Sequence, residues 1–122
     1  MPTRSLRSSV LKWPDGETVH AALSAWSAAL AEERPVVNRV GYLGSYARGQ
    51  WGVGSDLDVV IVVACSSLPF ADRPTEWDTL SLPVPVDLRV YTEAEFAGLA
   101  AASPRMARTL EREAVWVYAR RR

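Results

Sequence analysis

Two aspartates lie on either side of one leucine at the start of an apolar run in the middle of the chain. Asp56 and Asp58 open the run from Leu57 to Ala64. Successive side chains of a β-strand point to opposite faces, so both carboxylates lie on one face. Two carboxylates that close repel each other unless a cation lies between them. The pair indicates a site for Mg²⁺, which binds carboxylates together with substrate phosphates; the alternative is a turn cap before a buried strand.

A glycine-serine pair lies upstream of these aspartates, between a predicted strand and a predicted helical turn. Gly44 lets a phosphate approach the backbone, Ser45 offers a hydroxyl, and the helical turn presents free N–H groups. The segment from Gly49 to Ser55 contains three glycines and is predicted to be a loop. One loop therefore joins a phosphate cradle to the carboxylates, which indicates a site for a metal-bound triphosphate.

A third carboxylate, Asp87, lies in a later predicted strand, on the opposite face from Val86 and Leu88. If that strand lies beside the first apolar run, three carboxylates converge. With two Mg²⁺ ions they would form the clamp that stabilises the entering and leaving oxygens of phosphoryl transfer. Asp87 would bind the metal that activates the incoming hydroxyl and would serve as its general base. The alternative for Asp87 is a salt bridge to Arg89 on the same face.

The elements that position these residues follow from periodicity, capping residues and breakers. The predicted strands are Val36–Leu43, Leu57–Ala64, Val84–Tyr91 and Val115–Tyr118. The predicted helices run from Asp15 or Gly16 to Arg34, through Ala47 and Arg48, from Thr92 with its capping partner Glu95, and from Ser103-Pro104. A long polar connection from Ser66 to Pro83 has one helical turn near Trp77. This order predicts an α/β fold with a mixed sheet.

Composition restricts the class of protein further. The chain has 122 residues, is 48% hydrophobic and 23% charged, and is predicted to be one globular domain over residues 1–122. Within it, residues 1–12 are expected to form a loose arm and residues 119–122 a basic tail. Fourteen basic and fourteen acidic residues leave no net charge, which makes nucleic acid an unexpected direct ligand. A lone cysteine and the absence of a long apolar run predict a cytoplasmic protein without a membrane segment.

The combination of Gly44-Ser45, Asp56-Leu57-Asp58 and Asp87 resembles the polymerase-β-type nucleotidyltransferase superfamily. The fuller strings Gly44-Ser45-Tyr46-Ala47-Arg48-Gly49 and Ser55-Asp56-Leu57-Asp58 resemble its small prokaryotic branch, the minimal nucleotidyltransferases (MNT). The resemblance covers about residues 15 to 118. It implies a mixed sheet flanked by helices, the triphosphate on Gly44 and Ser45, and two Mg²⁺ ions on Asp56, Asp58 and Asp87. Arg48 and Ser55 are further candidates for nucleotide binding; for Arg48, contact with a partner and simple solvation remain open.

The resemblance also implies a function. MNT proteins are often paired with a helical HEPN-domain toxin, for which they are the antitoxin, and some transfer AMP from ATP to a tyrosine of that toxin. We therefore expect a Mg²⁺-dependent transfer of AMP from ATP to a hydroxyl of a protein partner, in a homo- or hetero-oligomer. Two alternatives are an antitoxin that acts by contact alone and a nucleotidyltransferase that modifies a small molecule such as an aminoglycoside. Trp51 is expected to stack on a base, to anchor a partner or to pack on the core.

Overall fold

A computed structural model describes residues 13–121 as a four-stranded sheet with helices on both faces. The strands are β1 (Val37–Leu43), β2 (Leu57–Val63), β3 (Val86–Thr92) and β4 (Val115–Ala119). The α-helices are α1 (Gly16–Glu33), α2 (Ser45–Arg48), α3 (Glu93–Ala97), α4 (Leu99–Ala102) and α5 (Pro104–Glu113), and a 3-10 helix spans Phe70–Glu76. None of the helices within residues 13–121 is long and apolar enough to span a membrane.

The strand order β3-β2-β1-β4 gives a mixed sheet, as predicted. β1 pairs antiparallel with both β2 and β4, whereas β2 pairs parallel with β3. The end of β1 therefore lies beside the starts of β2 and β3, at one edge of the sheet. β3 thus lies beside β2, which was the condition for the predicted convergence of the aspartates.

Two apolar clusters cover the two faces of the sheet. Because side chains alternate along a strand, β2 supplies Leu57, Val59, Ile61 and Val63 to the cluster under α1 and Val60 and Val62 to the cluster under α5. Every residue of β2 except Asp58 is buried, because the strand is covered on both faces. Each fully buried side chain of this type contributes about 1.5–3 kcal/mol. Asp58 belongs to the face covered by α5.

Capping residues set the helix boundaries much as the sequence predicted. Asp15 caps α1 by accepting a hydrogen bond from the Thr18 N–H, and the helix ends before Arg34-Pro35. Thr92 and Glu95 form a reciprocal capping box at the start of α3. These contacts fix where the helices begin and so how they pack on the sheet.

Several boundaries differ from the prediction, by one residue at the start of β1 and at the ends of β2 and β3. β3 begins at Val86 rather than Val84, because Pro85 has no N–H to donate and only its carbonyl accepts from Leu57 N. The helical turn expected near Trp77 is the 3-10 helix that ends before this residue. Ala119, which the sequence analysis assigned to the tail, belongs to β4, and Arg120 donates hydrogen bonds to the carbonyls of residues 35 and 37. The predicted arm, residues 1–12, lies outside the described residues, as does Arg122.

Candidate active site

The residues predicted to carry chemistry meet at the edge where β1 ends and β2 and β3 begin. Asp58 lies opposite Leu43 of β1 and opposite Asp87 of β3 in the strand register. Partners in register point to the same side of a sheet, so the carboxylates of Asp58 and Asp87 lie on one face. Asp56 precedes β2 by one residue and is exposed. Parallel pairing of β2 with β3 is therefore what brings Asp58 and Asp87 together.

Gly44 provides the space that the Asp58 carboxylate occupies. A Cβ placed on Gly44 would lie 2.1 Å from Asp58 Oδ2, closer than any side chain can approach. Gly44 also has a φ of +82°, in a region that other residues rarely adopt. The sequence predicted that this glycine admits a phosphate, and in the structure a protein carboxylate already lies against it. Any larger residue at this position would displace Asp58.

The negative charge of Asp58 is poorly compensated. Burial raises the pKa of the Asp58 carboxyl above its usual value, and the charges of Asp87 and Asp56 raise it further. Arg89 and Arg48 act in the opposite direction without reversing the shift. An opposite charge placed near this carboxylate would therefore stabilise its ionised form.

The Asp87 side chain is more exposed to solvent than that of Asp58 and lies near the guanidinium of Arg89. Its Oδ2 is 3.6 Å from Arg89 Nη1, and 56% of the Asp87 side chain is exposed. The salt bridge that the sequence left as an alternative is thus present in the structure. An exposed pair of this kind is weak, so Asp87 remains available to a ligand.

The aspartates alone supply only some of the ligands that a divalent cation needs. Among residues 13–121, no group of three or more His, Cys, Asp or Glu side chains is gathered as a metal site. The carboxylates of Asp58 and Asp87, with uncompensated charge on Asp58, nevertheless form a donor set of hard oxygens. Mg²⁺ is commonly held by one or two protein carboxylates together with substrate phosphates and water. Asp58 and Asp87 fit that pattern, with Asp56 within electrostatic range.

The other three candidates have different surroundings. Ser45 starts α2 directly after Gly44, and its side chain is half-buried. Arg48 ends the same short helix and donates from Nε to the Gln50 side chain at 3.1 Å. Ser55 Oγ accepts a hydrogen bond from Gly52 N at 2.8 Å and so shapes the loop between α2 and β2. The structure places Ser45 and Arg48 beside Gly44, whereas the Ser55 hydroxyl serves the loop.

Sequence reasoning missed Glu113, the last residue of α5. Its Oε1 accepts hydrogen bonds from Gly44 N at 3.3 Å and from Arg48 Nη1 at 3.1 Å. No local pattern marks this glutamate, because the contact joins residues far apart in sequence. The pairing of β1 with β4 brings the end of α5 to Gly44.

Trp51 packs on the core, the third of the roles considered for it. Its ring lies 5.8 Å from that of Tyr46 at an interplanar angle of 9°, which is a stacked arrangement. Tyr46 is buried, and its hydroxyl donates to the carbonyl of Pro14. Trp51 therefore anchors the loop between α2 and β2 on the face under α1.

The family of this chain follows from comparison with known proteins. The family model of the nucleotidyltransferase domain matches residues 25–117, a span that includes the candidate residues, and the chain belongs to that family. No curated protein sequence matches the chain.

Solved structures share the fold. A protein from Sulfolobus solfataricus assigned as a nucleotidyltransferase is 21% identical with a TM-score of 0.61, over 86% of this chain and 84% of that one. A toxin-antitoxin complex with AMP-PNP is 20% identical with a TM-score of 0.57, over 80% of this chain and 74% of that one. A mutant of the MntA-HpeT toxin-antitoxin is 18% identical with the same TM-score and the same coverage. At these identities the likeness establishes the nucleotidyltransferase fold.

Proposed function

We propose that this protein transfers AMP from ATP to a hydroxyl of a partner protein in a Mg²⁺-dependent reaction, and that it is the antitoxin of a HEPN-domain toxin. The observation that carries the proposal is the Asp58 carboxylate, seated against Gly44 and in register with Asp87. Family membership supplies the reaction class. The neighbouring toxin-antitoxin structures, one of them with AMP-PNP, support the choice of nucleotide and partner.

The reaction forms one bond and breaks one. The acceptor hydroxyl oxygen bonds to the α-phosphorus of ATP while the bond from that phosphorus to the bridging oxygen breaks, and pyrophosphate leaves with the electron pair. Asp87 is the group placed to receive the hydroxyl proton, because its carboxylate is exposed at the edge of the site. Bound Mg²⁺ would supply neutralisation of the charge on the phosphate oxygens.

Each remaining candidate residue has a role in this proposal. Asp58 and Asp87 hold the cation, with Asp56 adding negative charge beside them. The Gly44 N–H and the Ser45 hydroxyl donate to the phosphates, and Arg48 opposes their charge. Ser55 contributes by holding the loop that carries Asp56.

The exposure of the acidic edge favours a protein acceptor. Asp56 and Asp87 are both exposed, so a side chain presented by another protein can reach them without a deep cavity. A small acceptor would need walls to position it. The open edge thus supports a macromolecular acceptor over an aminoglycoside.

The proposal is tested by the intact mass of the protein encoded beside this one, after incubation with this protein, ATP and Mg²⁺. We expect the mass to increase by one or more AMP groups. The double variant Asp56→Asn, Asp58→Asn should slow the transfer by about a thousandfold or more, because the charges that hold the cation contribute several kcal/mol. Asp72→Asn is the matched control, since this exposed aspartate lies in the 3-10 helix away from the site.

Two other results would contradict AMP transfer to a protein. A stable complex that silences the toxin with no change in its mass would indicate an antitoxin that acts by contact. Transfer of AMP to an aminoglycoside, with the partner protein unmodified, would indicate a small-molecule enzyme.

A further inference from the structure

The carboxylate of Glu113 occupies the position that the proposed function gives to nucleotide phosphate. One oxygen, Oε1, accepts from both Gly44 N and Arg48 Nη1, at 3.3 and 3.1 Å. The Glu113 side chain is only 17% exposed, whereas that of Arg48 is 44% exposed. The Glu113 carboxylate therefore lies largely buried against the turn after β1, whereas Arg48 is more open to solvent.

Carboxylate and phosphate oxygens compete for the same donors. A guanidinium group and a backbone N–H bind either kind of anion. The Gly44 N–H cannot form good hydrogen bonds to Glu113 and to a phosphate at the same time. Two anions that share one donor would also repel each other. A phosphate that contacts Gly44 and Arg48 therefore requires that Glu113 leave.

The position of Glu113 in the fold allows it to leave without unfolding the helix. It is the last residue of α5. Leu110, one turn earlier, is buried in the cluster under α5, and its carbonyl accepts from Ala114 N. Rotation of the Glu113 side chain alone would free both donors while this anchor stays in place.

We propose that Glu113 is a gating residue of the nucleotide site, whose carboxylate fills the anion position in the free protein and is displaced when nucleotide binds. The proposal rests on the proposed function for the identity of the ligand, but not for the existence of the anion position. It differs from a role in positioning, in which Glu113 would hold Arg48 and Gly44 ready for the phosphate. The two roles predict opposite effects of removing the charge.

The test is isothermal titration of Glu113→Gln and of the unmodified protein with AMP-PNP and with inorganic pyrophosphate, both in the presence of Mg²⁺. The glutamine keeps the shape and an acceptor oxygen but loses the charge that attracts Arg48 and repels phosphate. We expect both ligands to bind roughly threefold to tenfold more tightly to the variant. Glu111→Gln, a change at an exposed glutamate of the same helix, should leave both dissociation constants unchanged.

A second substitution tests whether the effect acts through Arg48. In an Arg48→Met background, Glu113→Gln should give a smaller gain in affinity, because one of the two contested donors is already absent. Melting temperatures of all variants establish that each is folded before titration.

The outcomes separate this proposal from the proposed function. Weaker binding to Glu113→Gln would overturn gating and indicate positioning, and unchanged binding would also overturn it. Pyrophosphate that binds more tightly to the variant, with no binding of AMP-PNP to either protein, would support the gate and contradict the nucleotide function. No binding of either anion to the folded variant would overturn both.

Discussion

Two charged regions lie at opposite ends of β3, and only one of them compensates its charges within the protein. At the end of the strand, Arg73 is 5% exposed and donates to the carbonyls of Leu68 and Val90, each at 2.9 Å. Its guanidinium also forms two hydrogen bonds to the Glu95 carboxylate, at 2.6 and 3.1 Å. At the start of the strand, Asp58 lies beside Asp87 and Asp56, and forms no salt bridge within the described part of the chain.

The pKa values express the same contrast. The Arg73 guanidinium, with hydrogen bonds from Thr92, lowers the pKa of the Glu95 carboxyl to about 2. Burial and neighbouring carboxylates raise the pKa of Asp58. A charge that maintains the fold is compensated inside the protein, whereas a charge that binds a ligand is left short of compensation until the ligand arrives. The difference separates a structural ion pair from a candidate active site.

Among the substitutions that test this contrast, Arg73→Met should change the free energy of unfolding the most. The substitution removes the hydrogen bonds from Arg73 to Leu68, Val90 and Glu95, and the buried Val90 carbonyl loses a donor. We expect the free energy of unfolding in urea to fall by about 3 kcal/mol. Arg105→Met, at an exposed arginine of α5, should change it by less than about 0.5 kcal/mol. An equally small loss for Arg73→Met would show that the buried pair does not hold this end of β3.

In protein free of divalent cations, we expect Asp58→Asn to raise the free energy of unfolding, the opposite of the effect of Arg73→Met. A carboxyl whose pKa is raised by folding destabilises the folded state at neutral pH, and this cost disappears as the pH falls below the unfolded value near 3.8. The neutral amide avoids the cost, so the free energy of unfolding at pH 7 should rise by on the order of 1 kcal/mol.

Thermal melts at pH 7 measure this gain, with Asp72→Asn as the unaffected control. A lower melting temperature for Asp58→Asn would mean that the fold already compensates its carboxylate. The predicted gain in stability accompanies a predicted loss of transfer, a combination that a purely structural aspartate would not produce.

The smallest effect is expected from Glu95→Gln. Glutamine still completes the capping box with Thr92 but lacks the charge that pairs with Arg73. The lowered pKa of Glu95 means that its contribution is present above its ordinary value of 4.5 and is lost as the pH falls towards about 2. Because 42% of the Glu95 side chain is exposed, solvent screening limits this contribution to at most about 1 kcal/mol.

Melting temperatures between pH 2 and pH 6 test this pH dependence. Unmodified protein and Glu95→Gln should differ at pH 6 and converge near pH 2. A constant difference across that range would mean that the charge of Glu95 is not what stabilises the contact.

Local rules in the sequence predicted most of the fold and the acidic edge, but not the contacts between distant elements. Alternation along β2 placed Asp58 on one face, and the capping box fixed the start of α3. The register of Asp58 with Asp87 required the parallel pairing of β2 with β3, which the sequence could state only as a condition. Arg73 with Glu95, and Glu113 with Gly44, join elements that local periodicity does not relate. For the same reason the sequence could not distinguish among the roles of Trp51.

The pairing of β4 with β1 has a consequence for how the site forms in time. Val115 pairs with Tyr42, and only Ala114 separates Val115 from Glu113. This pairing joins segments that are more than 70 residues apart in the sequence, and contacts of such long range form slowly during folding. Before β4 docks, the backbone groups of β1 that pair with β4 are exposed, and Glu113 is not held beside Gly44. Fraying of β4 would therefore expose the backbone groups of β1 that it covers in one cooperative opening, which amide hydrogen exchange would register as a single unit.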